Sequence, residues 1–216
     1  MKIGILGTGP VGQALGNGFV ARGHDVMMGS REAGNEKATA WAKAAGPKAR
    51  TGTFKDATSF GDVMVLALLW TGTKNALDLA GGPAAFAGKV VLDVTNPLDF
   101  SHGMPPRLAL GHTDSGGEQI QRWLPAAKVV KVFNTVGNPD MVDPQFPDGA
   151  PDMFLCGNDE DAKRTATEIC RQFGWQNPID IGGIEGARYL EPMVILWVIY
   201  GVRSGGWRHA FKMLRK

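Results

Sequence analysis

The sequence predicts an α/β chain: a doubly wound parallel sheet with a small C-terminal α/β extension. Short apolar runs alternate with stretches of helical pattern through the first half, as parallel βαβ units require. A glycine-rich turn joins the first apolar run to the first helical stretch. The chain has 216 residues, 44% hydrophobic and 20% charged, enough to bury the core of one domain or one and a half.

Taken in order, Lys2–Gly7 reads as a strand, Val11–Arg22 as a helix and Asp25–Gly29 as a second strand. Glu32–Ala45, rich in Ala, Lys and Glu, reads as a helix that stops near Gly46-Pro47. Asp62–Leu69 is a continuous apolar run, the pattern of a central strand covered on both faces. Lys89–Val94 and Lys128–Phe133 repeat it. Asn138–Pro151 carries four prolines, which places a boundary there. Residues 1–137 are thus expected to form a dinucleotide-binding domain, and residues 152–216 a small lobe for substrate or oligomerisation. In that second part Met153–Cys156 and Pro178–Ile181 read as strands, Asp159–Phe173 and Ala187–Val202 as helices. These elements either extend the sheet or stand apart as a lobe.

The formal net charge of +2 is too small to argue for nucleic acid. Arg203, Arg208, Lys212, Arg215 and Lys216 gather near the C-terminus without an acid, as on a solvated terminal helix, with a phosphate or membrane contact as the other explanation. Cys156 and Cys170 lack metal spacing and read as reduced core residues. The N-terminal apolar run is broken by glycines, unlike a signal peptide. Met193–Val202, ten residues long, is half a membrane span. A cytoplasmic protein with no membrane partner is expected. The Met193–Val202 segment is apolar all round, which points to burial, a homodimer interface being one way to achieve it.

Gly7-Thr8-Gly9-Pro10-Val11-Gly12 matches G-x-G-x-x-G between a strand and a helix, the context that the dinucleotide fingerprint requires. Gly7 permits the tight turn, Gly9 lets a pyrophosphate approach the backbone, and Gly12 lets the helix pack on its strand. The helix N-terminus then offers free N–H groups to the phosphates. The fold is therefore expected to be Rossmann-like. Where an NAD enzyme places Asp or Glu at the end of the second strand, this chain has Gly29, then Ser30 and Arg31. An acid would repel a 2′-phosphate; a hydroxyl and a guanidinium would bind it, with Lys37 as a second cation. NADP(H) is favoured over NAD(H).

With these residues in hand, the chain resembles the NADPH-dependent coenzyme F420 reductases and their bacterial dinucleotide-binding relatives. The STEAP reductase domain is similar too. Besides the fingerprint and Gly29-Ser30-Arg31, the resemblance rests on Asp62–Ala67 leading to Trp70, and on Asp93-Val94-Thr95-Asn96-Pro97. It continues through Lys131-Val132-Phe133-Asn134-Thr135, Cys156-Gly157-Asn158-Asp159 and Arg188-Tyr189-Leu190-Glu191. It implies that Ser30, Arg31 and Lys37 hold the 2′-phosphate and that Leu68, Leu69 and Trp70 line the dinucleotide cleft. Asn96-Pro97 and Asn134-Thr135 would border the nicotinamide. The chain departs from F420-using members at Asn134, where they carry His, and at Leu69, where they carry Pro.

Hydride transfer between stacked rings needs positioning and exclusion of water more than an acid or base, so no residue is singled out as catalytic. Neither tyrosine begins a Tyr-x-x-x-Lys pair, which argues against a short-chain dehydrogenase. Lys131 and Asn134 have the K-x-x-N spacing of hydroxyacid dehydrogenases, but in a strand-like run, which favours a structural role. The four histidines form no metal spacing; His102 and His112 flank a Gly/Pro-rich loop, exposed or folded over the nicotinamide. Trp70 either stacks on a ring or packs. The expected reaction passes a hydride between NADP(H) and a flavin-type acceptor, F420 or an ordinary flavin (FMN or FAD). An imine or carbonyl reductase and a non-catalytic NADP(H) sensor are the alternatives.

Overall fold

A computed structural model describes residues 1–214. In chain order it contains β1 (Lys2–Leu6), α1 (Pro10–Ala21), β2 (Asp25–Ser30), α2 (Glu36–Ala45), β3 (Ala49–Thr53), α3 (Phe54–Phe60), β4 (Val63–Leu66) and α4 (Trp70–Leu79). Then come β5 (Val90–Asp93), the short pair β6 (Leu98–Asp99) and β7 (Arg107–Leu108), α5 (Gly116–Trp123) and β8 (Lys128–Lys131). The chain ends through β9 (Asp152–Gly157), α6 (Glu160–Gln172), β10 (Asn177–Asp180) and α7 (Ala187–Ser204).

Eight strands form one sheet in the order β10-β9-β8-β5-β4-β1-β2-β3. Every neighbouring pair is parallel except β8 and β9, which run antiparallel. The strand–helix–strand segment after Asp152 therefore extends the sheet, reversed in direction. The central strands β1, β4, β5 and β8 are buried on both faces, which is why they read as apolar runs. On β4, Val63 and Val65 join a core with Leu15 and Phe19 of α1, Trp41 of α2 and Ile169 of α6. Met64 and Leu66 face the opposite core, with Phe54 of α3, Leu77 of α4 and Ile120 of α5. Helices on both faces make the fold doubly wound, as the alternation of the sequence predicts.

Several boundaries differ from the expectation, each for a local reason. The run expected to continue to Leu69 leaves the sheet at Leu66, and Leu69 is 78% exposed at the start of α4. The helix expected from Glu32 begins at Glu36, because Asn35 caps it by accepting the Ala38 amide at 3.1 Å and Gly34 turns the chain at φ 78°. The strand expected to reach Phe133 ends at Lys131, and Phe133 sits at φ 59°, a left-handed conformation that no strand continues through. Of the basic residues near the C-terminus only Arg203 is helical among the described residues: α7 ends at Ser204 with Gly205 at φ 68°, and residues 206–214 run without helix. Arg215 and Lys216 lie outside the described residues. Met193–Val202 is buried on one side only: Val194 and Val198 pack inward, while Leu196, Tyr200 and Val202 are 58%, 57% and 48% exposed. No helix among the described residues is long and apolar enough to cross a membrane.

Candidate functional site

The glycine turn is built as its spacing demands. Gly7 has φ 122°, a conformation open to glycine, and a Cβ there would overlap the Ala67 carbonyl at the end of β4. A Cβ on Gly12 would overlap the Gly7 carbonyl, so α1 can lie close to the turn only because residue 12 has no side chain. Gly9 differs from both: a Cβ there would meet nothing within 4 Å. The missing side chain at Gly9 serves whatever approaches from outside. Gly9 caps α1 with no side-chain hydrogen bond and Pro10 opens the helix, which leaves the N–H groups of Val11 and Gly12 without intrahelical partners. Thr8 is tied in by its carbonyl, which accepts the Gln13 side-chain amide at 3.0 Å.

A cleft of about 390 Å³ runs from Gly7 and Thr8 to Gly29, Ser30 and Arg31, with Leu68 on its wall. The sheet order explains it. β1 lies between β2 and β4, and the connections change direction between β1 and β4, the crevice in which such sheets bind ligands. Ser30 is 6% exposed and its hydroxyl donates to the Glu32 carbonyl at 2.6 Å, which shapes the turn that presents Arg31. Arg31 is exposed at the cleft. Lys37 lies in the first turn of α2 and is exposed, outside the cleft lining. Glu32 and Asn35 also line the cleft, which the sequence motif does not announce.

The residues expected at the nicotinamide, Asn96 and Asn134, come together past the ends of β5 and β8. There Asn96 Nδ2 donates to the Asn134 carbonyl at 3.0 Å, and Asn134 Nδ2 donates to Asn96 Oδ1 at 3.1 Å and to the Leu190 carbonyl at 2.9 Å. Thr135 is 3% exposed. Pro97 and Trp70 both approach Gly116, at 3.5 and 3.1 Å from where its Cβ would be. Trp70 is stacked on Trp123, centroids 5.5 Å apart and planes 19° from parallel, so its ring packs on a protein neighbour.

Beneath this pair lies a charge cluster that sequence reasoning caught only as a structural lysine. Lys131 is fully buried, with Nζ 2.6 Å from Asp93 Oδ2, 2.8 Å from Glu191 Oε1, and donating to the Thr95 carbonyl at 2.8 Å. Burial works against its charge, but Asp93 and Glu191 outweigh burial and raise its pKa. Glu191 also accepts the Gly116 and Gly117 amides at 2.8 and 2.9 Å, which pins the start of α5 to α7. Asp93 accepts the amide and hydroxyl of Thr95 at 2.9 and 2.7 Å. Next to the cluster, burial pushes the Cys156 thiol up to about 12, which keeps it protonated and inert. Cys170 is likewise buried and free. His102 and His112 are exposed, and no His, Cys, Asp or Glu group fit to hold a metal exists among the described residues.

A larger cavity of about 550 Å³ went unforeseen. It lies between α7 and the tail, walled by Trp197, Tyr200, Phe146 and Phe211, with Arg208 and Lys212 among its lining. Its signal was present only as scattered aromatics in the last third of the chain.

Comparison with known proteins bears on this architecture. The family model described as NADP oxidoreductase, coenzyme F420-dependent, matches residues 2–97, the part that carries the glycine turn. The F420-dependent NADP reductase of Methanocaldococcus jannaschii is 31% identical over 209 residues, covering 92% of this chain and 91% of that protein. This chain belongs to the F420-dependent NADP reductase family. A crystal structure from Arthrobacter sp. FB24, described as a candidate F420-dependent NADP reductase, covers all of both chains with 38% identity and a TM-score of 0.93. The metalloreductase STEAP3 of Rattus norvegicus is 32% identical over 88% of this chain, which spans only 36% of that protein. As a member of the reductase family, this chain is an NADP-dependent oxidoreductase with a Rossmann-like fold, and NADP(H) is its cofactor.

Proposed function

We propose that this reductase passes a hydride between NADP(H) and a flavin-type acceptor, the deazaflavin F420 first and FMN or FAD next. The observation that carries it is the division of the crevice. Open space beside Gly9 and a guanidinium at Arg31 lie past β1 and β2, and a closed pair of amides, Asn96 and Asn134, lies past β5 and β8 on the other side of β4. When bound, the nicotinamide supplies the hydride chemistry itself. The residues of the chain supply position. The turn at Gly7–Gly12 receives the pyrophosphate on backbone N–H groups, and Arg31, rather than the engaged hydroxyl of Ser30, meets the 2′-phosphate. Buried acids and the lysine nearby are paired with one another, so the arrangement orients rings and excludes water and requires no proton shuttle.

In this reading residues 1–137 hold the dinucleotide, and the segment from residue 152 on closes the acceptor side. Relatives named F420-dependent NADP reductases support the choice of acceptor. The half-exposed apolar side of α7, with Leu196 and Tyr200, suits a homodimer contact. Two buried, unpaired cysteines suit a reducing, cytoplasmic setting. The test is stopped-flow oxidation of NADPH against F420, FMN, FAD and riboflavin. Reduction of F420 is expected. Tight NADPH binding with no reduction of any of the four would overturn the acceptor class and turn attention to small imines and carbonyls.

A further inference from the structure

The cavity of about 550 Å³ between α7 and the tail stands at the carboxyl ends of the parallel strands. β9 runs antiparallel to β8, with Lys131 opposite Cys156, so the start of β9 reaches past the end of β8. There the Phe133 N–H donates to Met153 Sδ at 3.3 Å, and Pro151, just before β9, lines the cavity. Trp197, on the same wall, lies 3.1 Å from where a Cβ on Gly137 would be, shortly after Asn134. Along α7, Trp197 is about 10 Å beyond Leu190, whose carbonyl holds Asn134. Open α/β sheets bind ligands outside the carboxyl ends of their strands, and this cavity continues that edge beyond β8.

Its lining fits a flat molecule that carries an anion. Phe146, Tyr200 and Phe211 supply aromatic wall, in a volume that suits a cofactor-sized ligand. Arg208 and Lys212 supply charge, and the contacts of the tail fix where they stand. The Asp152 N–H donates to the Phe211 carbonyl at 3.0 Å and the Met213 N–H to Asp152 Oδ2 at 2.7 Å, which ties down the backbone on either side of Lys212. Arg208 Nε donates to both carboxylate oxygens of Asp140, at 3.2 and 3.3 Å, while its side chain stays 66% exposed. Lys212 is exposed and has no hydrogen-bond or ion-pair partner among the described residues. Asp148 also lines the cavity, and it forms an ion pair with neither cation.

We propose that this cavity takes the phosphate-bearing side chain of the hydride acceptor, with Lys212 and Arg208 as the cations that select it. The ring of the acceptor then points along α7 towards the Asn96–Asn134 pair, and a flavin without the phosphate loses its anchor. Lys212 is a specificity-determining residue, because it meets a part of the acceptor that does not react. This rests on the reading above that the acceptor is of flavin type.

The test compares FMN with riboflavin, which differ by a phosphate. Their dissociation constants are measured by quenching of flavin fluorescence on the full chain in the presence of NADP⁺, so that no turnover occurs. The wild-type protein is expected to bind FMN about ten-fold more tightly, the scale of one charge-assisted hydrogen bond. Lys212→Glu is expected to bring the two within about two-fold, by weakening FMN and leaving riboflavin unchanged. Equal binding of FMN and riboflavin by the wild type overturns the proposal, and so does failure to bind FMN. A ten-fold gap that survives in Lys212→Glu also overturns it, since the phosphate is then read elsewhere. Flavin reduction by NADPH alongside equal binding strikes only this site, whereas no reduction of F420 or of any flavin sinks the acceptor class itself.

Discussion

Gly7 and Ala67 touch through their backbones: the Ala67 carbonyl occupies the space a Cβ on Gly7 would need. The two residues leave adjacent strands, β1 and β4, so the glycine turn is braced by the neighbouring loop. The glycines of one motif consequently answer to different forces.

Gly9→Val should abolish dinucleotide binding in a protein that melts within a few degrees of the wild type, because its side chain projects into space free of protein atoms. Gly12→Val should lower the melting temperature sharply, since even its Cβ overlaps the Gly7 carbonyl. Parallel thermal melts and NADPH titrations check both. Normal NADPH binding by Gly9→Val would mean that the phosphates lie elsewhere.

Arg31 should set cofactor choice. With no carboxylate at the end of β2 itself and the Ser30 hydroxyl engaged by Glu32, the guanidinium is the cleft's cation for a 2′-phosphate. NADPH should bind at least about ten-fold tighter than NADH, about 1.4 kcal/mol. Arg31→Ala should weaken NADPH and leave NADH unchanged. Equal dissociation constants in the wild type would remove the basis for this assignment.

Lys131→Met should destabilise the fold by about 3–5 kcal/mol, because Asp93 and Glu191 would remain buried with no countercharge. The sign of its pH dependence follows from its raised pKa. The stabilisation is complete below the unfolded lysine value, about 10.4, and is lost only as pH rises through the higher folded value. The deficit of the variant in urea unfolding should therefore be the same at pH 7 and pH 9. A deficit that shrinks between those two values would contradict the pairing.

Glu118 behaves in the opposite sense. Arg188, at 2.8 and 2.5 Å, holds its carboxyl below the usual carboxylate range, with help from the Ser115 hydroxyl against burial. Its contribution is present above the unfolded glutamate value, about 4.3, and is lost as pH falls through the lower folded one. Glu118→Gln should melt below the wild type at pH 7, with the gap closing towards pH 3. A gap that stays constant would show that hydrogen bonding without charge accounts for the pair.

The parts of this fold that were legible in the sequence are those where one residue type has one physical use. The glycines at 7, 9 and 12 fall where a backbone must turn or come close, and β4, β5 and β8 read as apolar runs because both faces are covered. What stayed hidden depends on partners distant in sequence. Ala49–Thr53 has no apolar run because β3 is the edge strand, and Trp70–Leu79 contains Gly72 and two threonines that mask a helix. Lys131, an ion in an apolar strand, makes sense only once Asp93 and Glu191 arrive from 38 residues before and 60 after. Asn134 was legible as a polar residue past a strand end, but which of its amide atoms is engaged was not, since the carbonyl of Leu190 decides it.

The Glu191 carboxylate has a further effect on how this protein breathes. Helix ends commonly fray, and their first amides trade protons with solvent ahead of the rest. At α5 the Gly116 and Gly117 N–H groups are held by a buried carboxylate from α7. Those two amides cannot open unless α5 and α7 separate. In native-state hydrogen exchange they should be among the slow protons of the chain, opening only in a fluctuation that also frees the first turns of α7. Two glycines at the start of a short helix would then report the docking of the last helix.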